Sequence, residues 1–232
     1  MATIVEKGTR EQVVHIPADD FSLEGNLNIP ERVRGVVLFA HGSGSSRFSP
    51  RNRFVAETLQ SNGLATLLMD LLSSEEEAVD LRTGHLRFDI DLLAERLLAA
   101  TEWLTGHPDT KDLTLGYFGS STGAAAALVA AARVPEKVGA VVSRGGRADL
   151  AGQSLPRVQA PTLLIVGGRD TMVIDLNREA MEKLKCEKKL EIIPWATHLF
   201  EEPGALEDVA KLAGGWFAEH LTPAGRSIGS TR

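Results

Sequence analysis

Short, uniformly apolar runs alternate with amphipathic stretches along most of this chain, and that alternation restricts its architecture more than any other feature. Gly35–Ala40, Leu64–Met69 and residues 113–118, 138–143, 161–166 and 189–193 read as buried strands. Helical patterns lie between and after them, over 50–61, 90–104, 122–133, 175–185 and 204–220. Strands apolar on both faces and separated by helices require a mostly parallel sheet covered on both sides. Residues 11–16 and 21–29 are β-like and flank Pro17-Ala18-Asp19-Asp20, which predicts an N-terminal hairpin. The fold class is therefore α/β.

The chain has 232 residues with no repeat and no break in composition, so a single domain over 1–222 is expected. The tail 223–232, rich in Gly, Ser and Arg, is expected to be disordered. The longest excursion, 71–88, is too short for a separate lid domain but long enough to border a pocket. A net charge of −6 excludes a nucleic-acid surface, which needs a basic excess. One cysteine, Cys186, excludes an intramolecular disulfide and an all-cysteine metal site. No apolar run approaches the ~20 residues of a membrane span, and residues 1–9 lack a signal-peptide pattern. A cytoplasmic protein without membrane attachment, monomeric or homodimeric, is expected.

Between the strand ending at 118 and the helix starting at 122, the chain reads Gly119-Ser120-Ser121-Thr122-Gly123, a G-x-S-x-G pattern. A serine pinched between a strand and a helix sits on a sharp turn with its hydroxyl above the sheet. Such a hydroxyl needs a base and an acid to orient it, supplied from later strand ends. Asp170 follows the 161–166 strand, and His198 follows the last one. Each has an ordinary alternative: Asp170 as the cap of the next helix, His198 as a solvated loop residue. In the order Ser121, Asp170, His198 they form a candidate triad. His107 and His220 read as structural or solvated, His85 as a residue of the excursion with substrate contact only as the alternative, and Ser120 as pointing away.

Acyl transfer also needs N–H donors for the developing oxyanion. Thr122 N–H, at a helix N-terminus, is one candidate. Ser43 N–H, in the turn His41-Gly42-Ser43-Gly44 after the 35–40 strand, is the second, with Gly44 as the fallback and His41 as a structural residue of the turn. The same loop lacks both the G-x-G-x-x-G pattern and the lysine of a Walker loop, which sets nucleotide binding aside.

With these motifs, over about residues 11–220, the chain resembles the α/β-hydrolase superfamily and, within it, the dienelactone-hydrolase-like group of small members without a large lid. The resemblance implies that Ser121, Asp170 and His198 are nucleophile, acid and base, with no metal or organic cofactor. It departs at one point: dienelactone hydrolases carry cysteine at the elbow, where this chain has Ser121. That shifts the expectation from dienelactone to a serine esterase acting on small carboxylic esters. Thioester, lactone or small-amide hydrolysis uses the same triad, and a weakly catalytic ligand receptor is the alternative from another class.

Arg47, Arg51, Arg53, Arg144, Arg147 and Arg169 fall near strand ends, where they either receive an anionic substrate group or pair with acids such as Asp70 and Asp149. Arg47 and Arg144 are the candidates for substrate contact. Leu71, Leu72, Met172, Trp195, Leu199 and Phe200 are candidates to line an acyl or alcohol pocket. An open pocket suits short-chain esters.

Overall fold

The structure, a computed structural model, describes residues 9–18 and 20–221; the tail 223–232 lies outside them. Its strands are β1 (Thr9–Ala18), β2 (Phe21–Pro30), β3 (Gly35–Ala40), β4 (Leu64–Met69), β5 (Leu115–Ser120), β6 (Val138–Arg144), β7 (Thr162–Gly167) and β8 (Lys188–Ile193). The helices are α1 (Pro50–Ser61), α2 (Ser74–Thr83), α3 (Ile90–Gly106), α4 (Thr122–Arg133), α5 (Thr171–Lys183) and α6 (Ala205–His220).

One eight-stranded sheet runs in the order β1-β2-β4-β3-β5-β6-β7-β8. The β1–β2 hairpin is antiparallel and adds to β4 antiparallel, while β4 through β8 are parallel. From β3 the chain first moves outward to β4, then returns to lay β5 on the other side of β3. Such a reversal opens a crevice at the carboxyl ends of the two strands, where doubly wound sheets collect their ligands. The register places Ala40 opposite Gly119, so the turn after β3 and the turn after β5 share that crevice.

Both faces are covered, which accounts for the unbroken burial of β3, β4, β5 and β7. One face packs Val37, Phe39, Phe118, Ala140 and Val142 against Val55, Ala56 and Leu59 of α1 and Val209, Ala213 and Phe217 of α6. The other packs Leu38, Leu67, Tyr117 and Val141 against Leu93 and Leu97 of α3 and Leu128 of α4, and Ala180 of α5 joins it. Burial on this scale, at about 25 cal/mol per Å² of apolar surface, is what orders the strands.

Most expected bounds shift by a residue or two, and three differences have a clear local cause. The strand expected at 113–118 is Leu115–Ser120, because Leu113 N–H closes a turn onto Thr110 O and pairing with β3 starts at Leu115. The helix expected at 175–185 starts four residues earlier, at Thr171, with Ile174 N–H on Asp170 O. The excursion 71–88 contains α2, started by a reciprocal capping box between Ser73 and Glu76 and stopped by Gly84 at φ 68°.

Candidate active site

Close packing forces the shape of the turn after β5. A Cβ on Gly119 would fall 2.4 Å from Ala124 Cα, and one on Gly123 would fall 2.3 Å from Ala40 O, so only glycine allows α4 to lie this close to the sheet. Between them Ser121 adopts φ 51°, a strained conformation for a residue with a side chain. The strain is fixed from outside: Ser121 O accepts from Ala124 N–H (3.1 Å) and Arg147 N–H (3.0 Å), and Ser121 N–H donates to Arg144 O (3.4 Å). Ser120, by contrast, is buried, with its Oγ 3.5 Å from Ala40 O and from Asn52 Oδ1 on the α1 face.

Asp170 stands directly after β7 at the cap position of α5 but makes no cap bond with its side chain. Its Oδ2 instead accepts from His198 Nδ1 at 2.6 Å. That bond puts the proton on Nδ1 and leaves Nε2 as the basic nitrogen. The loop bearing His198 is held on both sides. Glu202 accepts Thr197 N–H with both carboxylate oxygens (3.0 and 3.1 Å), and those bonds keep its pKa below the usual carboxylate range. Phe200, buried with φ 57°, anchors the other end. Gly145, next to the elbow, brings the ring close: a Cβ there would lie 3.6 Å from His198 Cε1. The Ser121 hydroxyl makes no hydrogen bond to His198. Such contacts commonly close only with substrate.

The turn after β3 faces the elbow across the crevice. Gly42 is required there, since its Cβ would meet Ser121 Cβ at 3.0 Å. His41 is half-buried and pins the turn: its Nδ1–H donates to Gly42 O (2.9 Å), and its Nε2 accepts Leu71 N–H (3.1 Å). Burial lowers its pKa, against the raising effects of Gly42 O, Asp70 and Glu77. Ser43 N–H is already engaged: it donates to Thr122 Oγ1 at 3.1 Å, which departs from the expectation of a free oxyanion donor. Thr122 N–H belongs to the first turn of α4, where a helix cannot pair its own donors.

A cleft of about 100 Å³ runs from this turn under the excursion. His41, Ser43, Thr122 and Leu71 border it, with Leu72, Leu81, Asp80 and Arg87 on the excursion side. Asp80 and Arg87 were not among the expected site residues. Burial favours neutral Asp80, but the Arg87 guanidinium and the N–H groups of Arg87 and Leu86 outweigh it and hold the pKa below normal. The clasp carries Arg87 across the cleft, so that a Cβ on Gly44 would lie 3.7 Å from its Nη1. Only the pairing of an acid at 80 with an arginine at 87 hinted at this in the sequence.

The remaining candidates scatter. Arg47 is committed to Asp70 and Glu24 and stacks 4.3 Å from the Phe48 ring centre, so its guanidinium is not presented to the cleft. Arg144 is buried on the α1 side of the elbow. Met172, Trp195 and Leu199 are exposed around the Asp170 and His198 loops, whereas Phe200 is buried in the core and Leu71, also buried, keeps an edge on the cleft. His85 is exposed, with Nδ1 on Thr83 Oγ1 (2.7 Å). Among the described residues no group of three or more His, Cys, Asp or Glu is placed to hold a metal ion, and no helix is long and apolar enough to cross a membrane.

Comparison with known proteins gives this geometry a setting. The chain is 63% identical to a dienelactone hydrolase from Anabaena variabilis, covering 92% of this chain and 99% of that one, with a TM-score of 0.91. A cold-adapted esterase from an Arctic intertidal metagenomic library shares the fold at 15% identity and TM-score 0.75, over 94% and 97% of the two chains. A Mycobacterium tuberculosis protein, named as a candidate phosphoribosyl transferase, is 57% identical over 94% of this chain. That match takes in 48% of the relative, so the chain spans about half its length. The family model for dienelactone hydrolases matches residues 23–217, the span from β2 to α6 that carries the elbow, Asp170 and His198. With nearly the whole described fold inside that match, the chain has the α/β-hydrolase fold and belongs to the dienelactone hydrolase family.

Proposed function

We propose that this protein cleaves small carboxylic esters through an acyl-enzyme formed on Ser121. The observation that carries the reading is the 2.6 Å bond from His198 to Asp170 beside a serine held at φ 51°. Strain at the nucleophile and a base fixed in one tautomer serve acyl transfer and have no evident structural purpose. Ser121 Oγ attacks the ester carbonyl as its proton passes to His198 Nε2, and Asp170 stabilises the imidazolium. The oxyanion meets Thr122 N–H and the Ser43–Thr122 pair. His198 then protonates the leaving alkoxide, and a water activated by the same imidazole frees the acid and restores the serine.

The 3.1 Å bond from Ser43 N–H to Thr122 Oγ1 refines the oxyanion site. A hydroxyl that accepts this N–H still has its own proton to donate. Thr122 thus offers two donors, its N–H and its O–H, with Ser43 polarising the second. The open cleft and the exposed Met172, Trp195 and Leu199 favour short acyl and alcohol groups, lactones included. The transferase name of the longer relative is not extended to this chain.

A fluorophosphonate probe should label the wild type, and Ser121→Ala should abolish labelling and lower kcat on p-nitrophenyl acetate by roughly 10⁴-fold or more. Equal labelling of Ser121→Ala, or an unreactive wild type, overturns the reading.

A further inference from the structure

Arg144 ends β6 beside the elbow, paired in register with Ser120. Alternation along β6 sends Ala140 and Val142 into the α1/α6 core, and Arg144 follows them to that face, opposite the cleft under α2. It is 7% exposed, and its Nη1 is enclosed without a partner. Among the described residues no hydrogen bond or ion pair reaches its guanidinium. The charge that acts on it is a second cation: burial first, then Arg51, lowers its pKa to about 10, so it stays charged at neutral pH. Arg51 projects from the first turn of α1, with its own Nε enclosed and unpartnered and its Nη1 on the largely exposed Glu201 (3.0 Å). Arg96, the other buried arginine among the described residues, meets Glu76 at 2.7 Å.

A buried guanidinium with no counter-ion is strongly destabilising, and a second cation beside it adds to the penalty. One anion would relieve both. We propose that Arg144 and Arg51 form a binding site for a single small oxyanion, a carboxylate or a phosphate, on the α1 side of the nucleophile elbow. The planar guanidinium fork suits either group, and the N-terminal end of α1 adds positive potential. The anion is either free in solution or carried by the molecule that the elbow attacks. The site itself does not depend on the ester reading; only the second source does.

Inorganic phosphate, titrated at constant ionic strength against chloride, should raise the wild-type melting temperature saturably, by about 5 °C. Arg144→Met and the more exposed Arg51→Gln should each remove the response. Kinetics separate the sources. If the substrate supplies the anion, the wild type prefers the p-nitrophenyl monoester of succinate over the neutral valerate ester. Arg144→Met then cuts that preference about tenfold, and phosphate competes. If the anion is free, the preference is unchanged while the thermal response is still lost. A wild type that responds to phosphate no more than to chloride, or variants that respond as the wild type does, overturn the site. A protein inactive on every ester sinks the esterase reading and leaves the thermal result readable.

Discussion

Two roles are proposed for the Thr122 hydroxyl, which accepts one hydrogen bond and keeps its own proton to donate. As an acceptor it holds Ser43 N–H at 3.1 Å; as a donor it would meet the oxyanion of the proposed acyl transfer. If the donor role dominates, Thr122→Val should lower kcat on p-nitrophenyl acetate by about 10²-fold with KM little changed, since the bond is made only in the transition state. Thr122→Ser should keep most of the rate. A faster Thr122→Val enzyme would mean that the hydroxyl merely occupies Ser43 N–H. At this scale the sequence showed residues whose positions follow from chain order and strand ends: Asp170 and His198 meet as their spacing suggested. It did not show Glu202, whose grip on Thr197 N–H depends on how one loop folds back. Nor did it show that Arg47 is taken by Asp70 and Glu24, a choice between acids made by three separate elements.

Among the elements, the strands were the most legible because burial on both faces leaves an uninterrupted apolar run, as in β3, β4 and β7. Helix α2 was not, because its acidic first turn and short length give little apolar periodicity, and only the Ser73/Glu76 capping box marks it. What fastens this part of the chain to the β3 turn is His41, through Leu71 N–H on Nε2. That bond requires a neutral ring, and burial lowers the ring's pKa below 6.5 in the folded state. The unfolded chain therefore takes up a proton near pH 6.5 that the folded chain refuses. The stabilisation is complete above that pH and is lost as the pH falls toward the folded-state pKa. Melting temperature should accordingly fall between pH 7 and 5 more steeply in the wild type than in His41→Gln, although the variant starts lower at pH 7. Parallel curves would show that His41 does not govern the acid sensitivity. Asp70 and Glu77, which face the ring, favour its protonated form and soften the slope without reversing it.

Across the whole molecule, the groups assigned to acyl transfer come from the ends of β3, β5, β7 and β8, so the site exists only when the sheet is complete. Both cores are continuous along that sheet, one against α1 and α6 and the other against α3 and α4, and a single cooperative unit follows from such packing. The three tryptophans sample it separately: Trp103 on α3, Trp195 on the His198 loop and Trp216 on α6, the last with Nε1–H on Pro161 O at 3.3 Å. Equilibrium unfolding in urea should therefore give one midpoint by tryptophan emission, by far-ultraviolet circular dichroism and by residual ester hydrolysis. Calorimetry should give an enthalpy on the order of 150 kcal/mol at the midpoint, at about 0.7 kcal/mol per residue, equal to the van't Hoff value. If hydrolysis disappears at lower urea than the other two signals, the His198 loop and the β3 turn open before the sheet does. The exposed Trp195, 45% accessible on the His198 loop that Glu202 holds, is where that early opening would register first.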